Sequence, residues 1–398
     1  MKFNKWTLGL AAVGAVSLTS AVRADEAKII PLQTALSNTT ISGYVDTAVQ
    51  YNPGNVGPVG TQNVPAGLNP NKVDIFSLND LDIAIDHPLD STPWAAGYHI
   101  DLNYGLDALG LSNGGNSSTG VVGNNPAIRQ AYVALSTPVG NGIQWKMGIQ
   151  DGIIGYEGNT DSSNPNYTRS VGYDIEPATL LGLVGTYQIN SLITVQAGVV
   201  ESESTIPEAV GTAPASTEVS SKAFAGAVAF TAPDSWGWVK GATLNAGTYI
   251  DPFKGGADNY YVGLTTPTPW SPLKLGASYD LRSVANGAGH ANEQNDSGYV
   301  VGLYGNYQAT DKLSFNLRGE YYDLAGVLLN ATPTDFAAAG TDGKGEELTA
   351  TIQYNLWANV TSRAEFRWDH SDTGEAFVGS VPQDSNSYIL ALNVIYTF

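Results

Sequence analysis

The chain has 398 residues and a formal charge of −19, from 37 Asp+Glu against 18 Lys+Arg, yet only 14% of its residues are charged. At 42% hydrophobic it is too apolar for a disordered acidic chain, and its acidic balance argues against nucleic acid as a partner. The absence of Cys excludes disulfide scaffolds, thiolate metal sites and Cys nucleophiles. No internal apolar run reaches the 18 or so residues of a spanning helix, while 45 Gly and 21 Tyr suggest β structure.

Residues 1–24 read as a secretory signal peptide. Lys2 and Lys5 form the positive start, Trp6 to Leu18 the apolar stretch, and Val22-Arg23-Ala24 the cleavage region. Export is expected, and a thiol-free chain suits an oxidising periplasm. Residues 25–39, with weak periodicity and Pro31, read as a periplasmic lead-in.

From Thr40 onward the pattern has period two. Ile41, Val45 and Val49 share one face of 40–51, and Ser42, Asp46 and Gln50 the other. Such alternation marks a strand with one apolar and one polar face. Sixteen segments of this kind follow one another: 40–51, 74–86, 94–105, 127–137, 142–151, 177–189, 191–201 and 220–232, then 237–250, 258–267, 272–283, 297–309, 311–323, 345–356, 359–369 and 386–398. Most have ten residues or more, which matches the roughly 9–11 that a tilted strand needs to cross a bilayer.

The connections after odd-numbered segments are long (52–73, 106–126, 152–176, 202–219, 284–296, 324–344 and 370–385), with 251–257 the short exception. Those after even-numbered segments are short, as at Pro88–Pro93, Pro138–Gly142 and Asn190-Ser191. Sorting of this kind is expected when one barrel rim faces the periplasm and the other the outside. The predicted fold is therefore all-β, a transmembrane antiparallel up-and-down β-barrel of about 16 strands. Trp94, Trp236, Trp238, Trp270 and Trp357 lie in or beside the short turns, where an interfacial aromatic girdle belongs. Three hairpins, 182–198, 302–319 and 349–365, also resemble one another, so repetition lies at the level of the hairpin.

Gly155-Tyr156-Glu157, followed by Asn164-Pro165-Asn166-Tyr167-Thr168-Arg169-Ser170, resembles a recurring stretch of the putative β-barrel porin type-2 family of bacterial outer-membrane proteins. The similarity extends loosely over the barrel, including Arg363-x-Glu365-x-Arg367-x-Asp369 and the terminal Tyr396-Thr397-Phe398. The resemblance implies a porin-like barrel in the outer membrane, surrounded by its lipid. Phe398 looks like the terminal aromatic read by the outer-membrane assembly machinery. A homotrimer is expected only by analogy with porins of this size.

A lipid-facing Arg or Lys at mid-membrane costs about 2–4 kcal/mol, so charged strand positions should point inward. This assigns Asp46, Asp82, Asp101, Lys146, Lys274, Arg282, Arg318, Glu320, Arg363, Glu365 and Arg367 to the pore lining. Acids dominate the first three strands and bases populate strands eleven to fifteen. The two walls would set up a transverse field, or else pair with one another as wall salt bridges. The long connection 152–176, with Tyr156, Glu157, Asp161, Tyr167 and Arg169, is the candidate constriction loop.

The expected function is a porin for passive diffusion of small hydrophilic solutes and ions, with no chemical step, no cofactor and no metal site. A substrate-specific channel for sugars or oligopeptides would need an aromatic slide, for which Tyr44, Tyr132, Tyr304 and Tyr322 are candidates. A non-channel barrel with binding loops is a further alternative. A hydrolase is disfavoured: His87 is placed in a turn, His290 and His370 in outer loops, and only His99, beside Asp101, on a wall.

Overall fold

The computed structural model describes residues 32–33, 38–53, 72–110, 127–202, 222–252, 256–284, 296–324, 343–372 and 385–398. Residues 1–24, expected to be a signal peptide, most of the expected lead-in 25–39, His290 and much of the long connections lie outside these residues. A two-residue strand, β1 (Leu32–Gln33), pairs with the start of β2 (Thr40–Tyr51). Then follow β3 (Phe76–His87), β4 (Ala96–Tyr104), β5 (Ala127–Thr137), β6 (Ile143–Asp151), β7 (Thr179–Gln188), β8 (Ile193–Glu201) and β9 (Lys222–Thr231). The second half comprises β10 (Thr243–Ile250), β11 (Ala257–Pro267), β12 (Leu273–Val284), β13 (Asp296–Gln308) and β14 (Leu313–Asp323). It ends with β15 (Lys344–Trp357), β16 (Val360–Ser371) and β17 (Asn386–Thr397).

Each of β2 to β17 pairs antiparallel with its neighbours in sequence, and β17 returns to β2, from Leu390↔Tyr51 to Thr397↔Tyr44. Sixteen strands thus close a barrel and leave no open edge, as a bilayer demands of any sheet that crosses it. Closure reaches the last residue: Phe398 and Gly43 exchange backbone hydrogen bonds of 2.9 and 3.1 Å.

Alternation along the strands sorts side chains as their period dictates. On β14, Phe315, Leu317 and Tyr321 are exposed outward, whereas Ser314, Asn316, Arg318, Glu320 and Tyr322 are buried inside. Trp94, Trp236, Trp238, Trp270 and Trp357 are all exposed at the short-turn rim. Tyr51, Phe76, Tyr260, Tyr279, Tyr321 and Tyr388 form a second exposed aromatic band toward the long-loop rim. Two such bands bracketing an apolar exterior mark the two headgroup layers of a bilayer.

The predicted strand boundaries differ from the structure mainly at one point. The strand expected from residue 237 begins at Thr243, because Asp234–Val239 forms a 3-10 turn with Gly237 at φ 64°. That kinked turn holds Trp236 and Trp238 at the rim rather than in the ladder. The structure also contains bulges that alternation does not announce, at Asp46/Thr47 opposite β3 and at Asp101/Leu102 opposite β5.

Candidate functional site

The connection between β6 and β7 enters the barrel. It carries a 3-10 turn (Asp161–Ser163) and one short helix, α1 (Val171–Ile175), capped by Ser170, whose Oγ accepts from Tyr173 N at 3.0 Å. Its first residues are apolar and so is the wall they meet. Ile154 and Tyr156 pack on Leu180, Val184, Val200, Ala223, Ala225, Tyr249, Tyr261 and Tyr304. The alanines of β9 point inward, and their small side chains leave room for the loop. Tyr156 stacks on Tyr304 with centroids 3.7 Å apart, in a space that Gly276 keeps open: a Cβ there would meet the Tyr156 hydroxyl.

Beyond Tyr156 the contacts turn polar, and the wall of β14 to β16 grips the loop backbone. Glu365 accepts from Tyr167 N at 2.6 Å and Thr168 N at 2.9 Å, and also from the Thr351 hydroxyl. Glu320 does the same one turn on, accepting from Val171 N at 2.7 Å and Gly172 N at 3.1 Å. Arginines take the loop carbonyls. Arg363 donates to Asp161 O and Asn164 O, Arg367 to Arg169 O, and Arg318 to Thr168 O. Arg318 is wholly buried and also binds Glu157 at 2.9 Å and Glu347 at 3.1 Å, while Arg367 pairs with Asp369 at 2.7 Å. Backbone amides and carbonyls that leave a strand must find partners when buried; here the charged inner side chains supply them.

The far end of the loop is held by β11 and β12. Asn259 and Arg282 both donate to Ile175 O, at 2.6 and 3.2 Å. Burial pushes the Glu176 carboxyl well above its ordinary range, and the facing Asp280 adds to the shift.

Opposite this wall lies an acidic one. Asp46 accepts from Asn79 and Asn393, and Asp80 from the Tyr44 hydroxyl at 2.6 Å and from Asn103. Tyr44 in turn accepts Asp161 N at 3.3 Å, so it joins the loop to the acidic wall. Arg129 bridges Asp101 and Asp151 and approaches Asp82 at 3.7 Å. Among the described residues, Asp80 Oδ1, Asp101 Oδ1 and Asp161 Oδ2 are buried acceptors that receive no protein hydrogen bond. Lys72, beside Asp107, places its ammonium over the Tyr167 ring at 5.4 Å and so brings a cation to the loop on this side. Burial opposes its charge, but Asp107, Tyr167 and Asp161 outweigh that and raise its pKa.

All eleven charged strand residues singled out from the sequence lie on the inward phase. Arg318, Glu320, Arg363, Glu365 and Arg367 come together with Glu157, Asp161, Tyr167 and Arg169 of the loop. Asp46, Asp82 and Asp101 form the acidic wall. Lys146, over the Tyr132 ring at 4.5 Å, and Lys274, near the short-turn end of β12, stand apart from both groups. Of the two readings of the wall charges, pairing describes the arginines, which hold acids and loop carbonyls. The aromatic-slide candidates Tyr44, Tyr304 and Tyr322 are covered by the loop and at most 4% exposed. His99 sits between Asp86 (3.0 Å) and Asp101 (3.6 Å) and stacks on Tyr132. His87 and His370 are not loop residues: they are at the ends of β3 and β16.

Sequence reasoning missed Arg129, Glu347 and Glu176. Glu347 shares the inward phase of Thr349 and Thr351, so alternation could have found it. Arg129 occupies a bulge, where alternation fails.

Three solved structures illustrate the likeness in fold. OmpF of Salmonella typhi, in complex with daunomycin, superposes with a TM-score of 0.60 at 11% identity, covering 90% of this chain and 97% of its own. OmpT, an outer membrane protein of Vibrio cholerae, gives 0.55 at 12% identity over 93% of this chain and all of its own. The anion-selective porin from Comamonas acidovorans gives 0.54 at 13% identity, covering 90% and 99%. No curated protein matches significantly. A sequence model of one family matches residues 38–398, nearly the whole chain, from the turn before β2 to the terminal Phe. The protein thus belongs to the putative beta-barrel porin-2, OmpL-like family of outer-membrane barrels.

Proposed function

We propose that this barrel is a general diffusion porin, passing small hydrophilic solutes and ions through a water-filled channel narrowed by the 152–178 loop. The observation that carries this reading is the loop itself, drawn into the barrel and bonded along its length to the inner wall. A structural or adhesive barrel has no need of such an inward plug, whereas a channel uses it to set an exclusion size. Tyr156, Glu157, Asp161, Tyr167 and Arg169 are its constriction residues. Asp46, Asp82, Asp101, Lys146, Lys274, Arg282, Arg318, Glu320, Arg363, Glu365 and Arg367 are the pore-lining set, with most of the arginines used to hold the loop.

With those arginines engaged by the loop and by wall acids, the chain's excess of 37 Asp+Glu over 18 Lys+Arg favours weak cation preference. As a channel the protein catalyses no reaction. Phe398, whose backbone closes the barrel on Gly43, serves as the assembly signal, and residues 1–24 direct export. A homotrimer is the proposed assembly, in keeping with the trimer form in which a V. cholerae OmpT structure was determined.

Single-channel recording in planar bilayers tests the reading. Deleting residues 158–166 is expected to raise conductance, and a salt gradient to give a reversal potential of cationic sign. An intact barrel that conducts nothing overturns the proposal, and saturable block by a particular sugar or peptide replaces it with a specific channel.

A further inference from the structure

At the long-loop rim, on the outer surface of the barrel, β14 to β17 bring one row of side chains together. Register places Tyr321 beside Glu346, Glu346 opposite His370, and His370 opposite Asn386. All of these share the outward phase of Leu348, Phe366 and Tyr388. Asp372 follows the end of β16 and is tied across to β15 by its backbone N–H, which donates to Lys344 O at 2.9 Å. Glu346, His370 and Asp372 each offer one ligand atom, and the three atoms lie within 4.8 Å of one another.

We infer that Glu346, His370 and Asp372 form a divalent-metal site on the outside of the barrel, at the level of the headgroups. Three features favour a metal over a solvated rim. First, the imidazole is oriented. His370 Nδ1 lies 3.0 Å from Asn386 Oδ1, and that oxygen already accepts Trp368 Nε1–H at 2.9 Å. An acceptor at Nδ1 places the proton there and leaves the Nε2 lone pair for an ion, the arrangement that supports metal-bound histidines in general. Second, Lys344, the neighbouring cation of the row, pairs with Asp323 at 2.8 Å. Third, bond lengths of about 2.0–2.2 Å to nitrogen and carboxylate oxygen set ligand separations of about 3–3.6 Å, which small rotations of two half-buried side chains and the exposed Asp372 reach.

One imidazole and two carboxylates suit a borderline divalent ion such as Zn²⁺ rather than the all-oxygen sets of Ca²⁺ or Mg²⁺. Three protein ligands leave a coordination position open to water or to an external oxygen ligand. The site clamps the ends of β15 and β16 outside the lumen, so it stands whether or not the channel conducts as proposed.

The test is calorimetric titration of Zn²⁺ into the metal-stripped full chain in detergent micelles, with barrel integrity checked by heat-modified gel mobility. One saturable ion at this site is expected, lost in both His370→Ala and Glu346→Gln and retained in His99→Ala. Asn386→Leu should weaken it about 10–100-fold, the usual effect of removing an outer partner of a metal-bound histidine. Absence of saturable uptake, or uptake unchanged in His370→Ala and Glu346→Gln, overturns the inference. Should His370→Ala not assemble, Glu346→Gln alone decides it by the same criterion.

Discussion

Replacing Glu365 by Ala asks whether the inward loop is held by the wall or merely rests on it. The carboxylate accepts two consecutive loop amides, Tyr167 N at 2.6 Å and Thr168 N at 2.9 Å, and is itself steadied by Thr351. A hydrogen bond to a charged group contributes about 1.5–3 kcal/mol, and truncation also strands the donors it leaves behind. Two amides at the lower figure make about 3 kcal/mol, enough to raise the ratio of undocked to docked loop by about 100-fold. Glu320, Arg318, Arg363 and Arg367 still grip neighbouring stretches, so the barrel itself should assemble. Single-channel recordings of the variant are expected to show larger or flickering currents. Trypsin should also cut more readily at Arg169, whose carbonyl Arg367 now holds. Glu365→Gln, which keeps one acceptor oxygen, should fall between the two. A folded Glu365→Ala barrel with unchanged conductance, noise and protection at Arg169 would refute the view that the wall fastens the loop.

Three further outcomes follow from the same geometry. Gly276→Val places a side chain in the space of the Tyr156 ring, and overpacking of this kind costs about 1–3 kcal/mol; the temperature of heat modification on gels should fall, and an unchanged value would mean that Tyr156 moves freely. Arg129→Met leaves Asp101 and Asp151 without their shared cation, a loss of about 3–5 kcal/mol for a buried pair broken on one side; adding Asp101→Asn should restore part of the stability, and full additivity would deny the coupling. The Glu176 carboxyl, raised by burial and by Asp280, contributes stability that is complete below the ordinary carboxylate range and lost as pH rises through its elevated value. Glu176→Gln should therefore match the parent protein near pH 4 and exceed its thermal stability near pH 8, and a variant that is weaker at pH 8 would contradict that sign.

The single acidic–basic division read from strand order takes a different form in the folded molecule. The acids of β2 to β4 do make one wall. The bases of β12 to β16 do not face them across open water, because the loop intervenes and takes their hydrogen bonds. The interior is also less uniformly polar than its phase suggests. Val184, Val200, Ala223 and Ala225 point inward and are dry because Ile154 and Tyr156 cover them. An apolar inward position therefore marks the footprint of the loop, a signal present in the sequence but meaningless until the loop is placed.

What the amino-acid order determined by itself is local and periodic. Alternation in segments such as 386–398 sets the strands and their two faces, and the sorting of long and short connections sets the up-and-down barrel. Fifteen pairings between sequence neighbours then need no long-range information beyond the closure of β17 on β2. Tertiary structure alone decided the path of residues 152–178, since their partners Arg318, Glu320, Arg363, Glu365 and Arg367 lie some 150 to 200 positions away. It also decided the bulge that aims Arg129 at Asp101, and the rim row that sets His370 against Glu346. A period of two says which face a side chain takes, and carries no term for what stands opposite it across a closed cylinder.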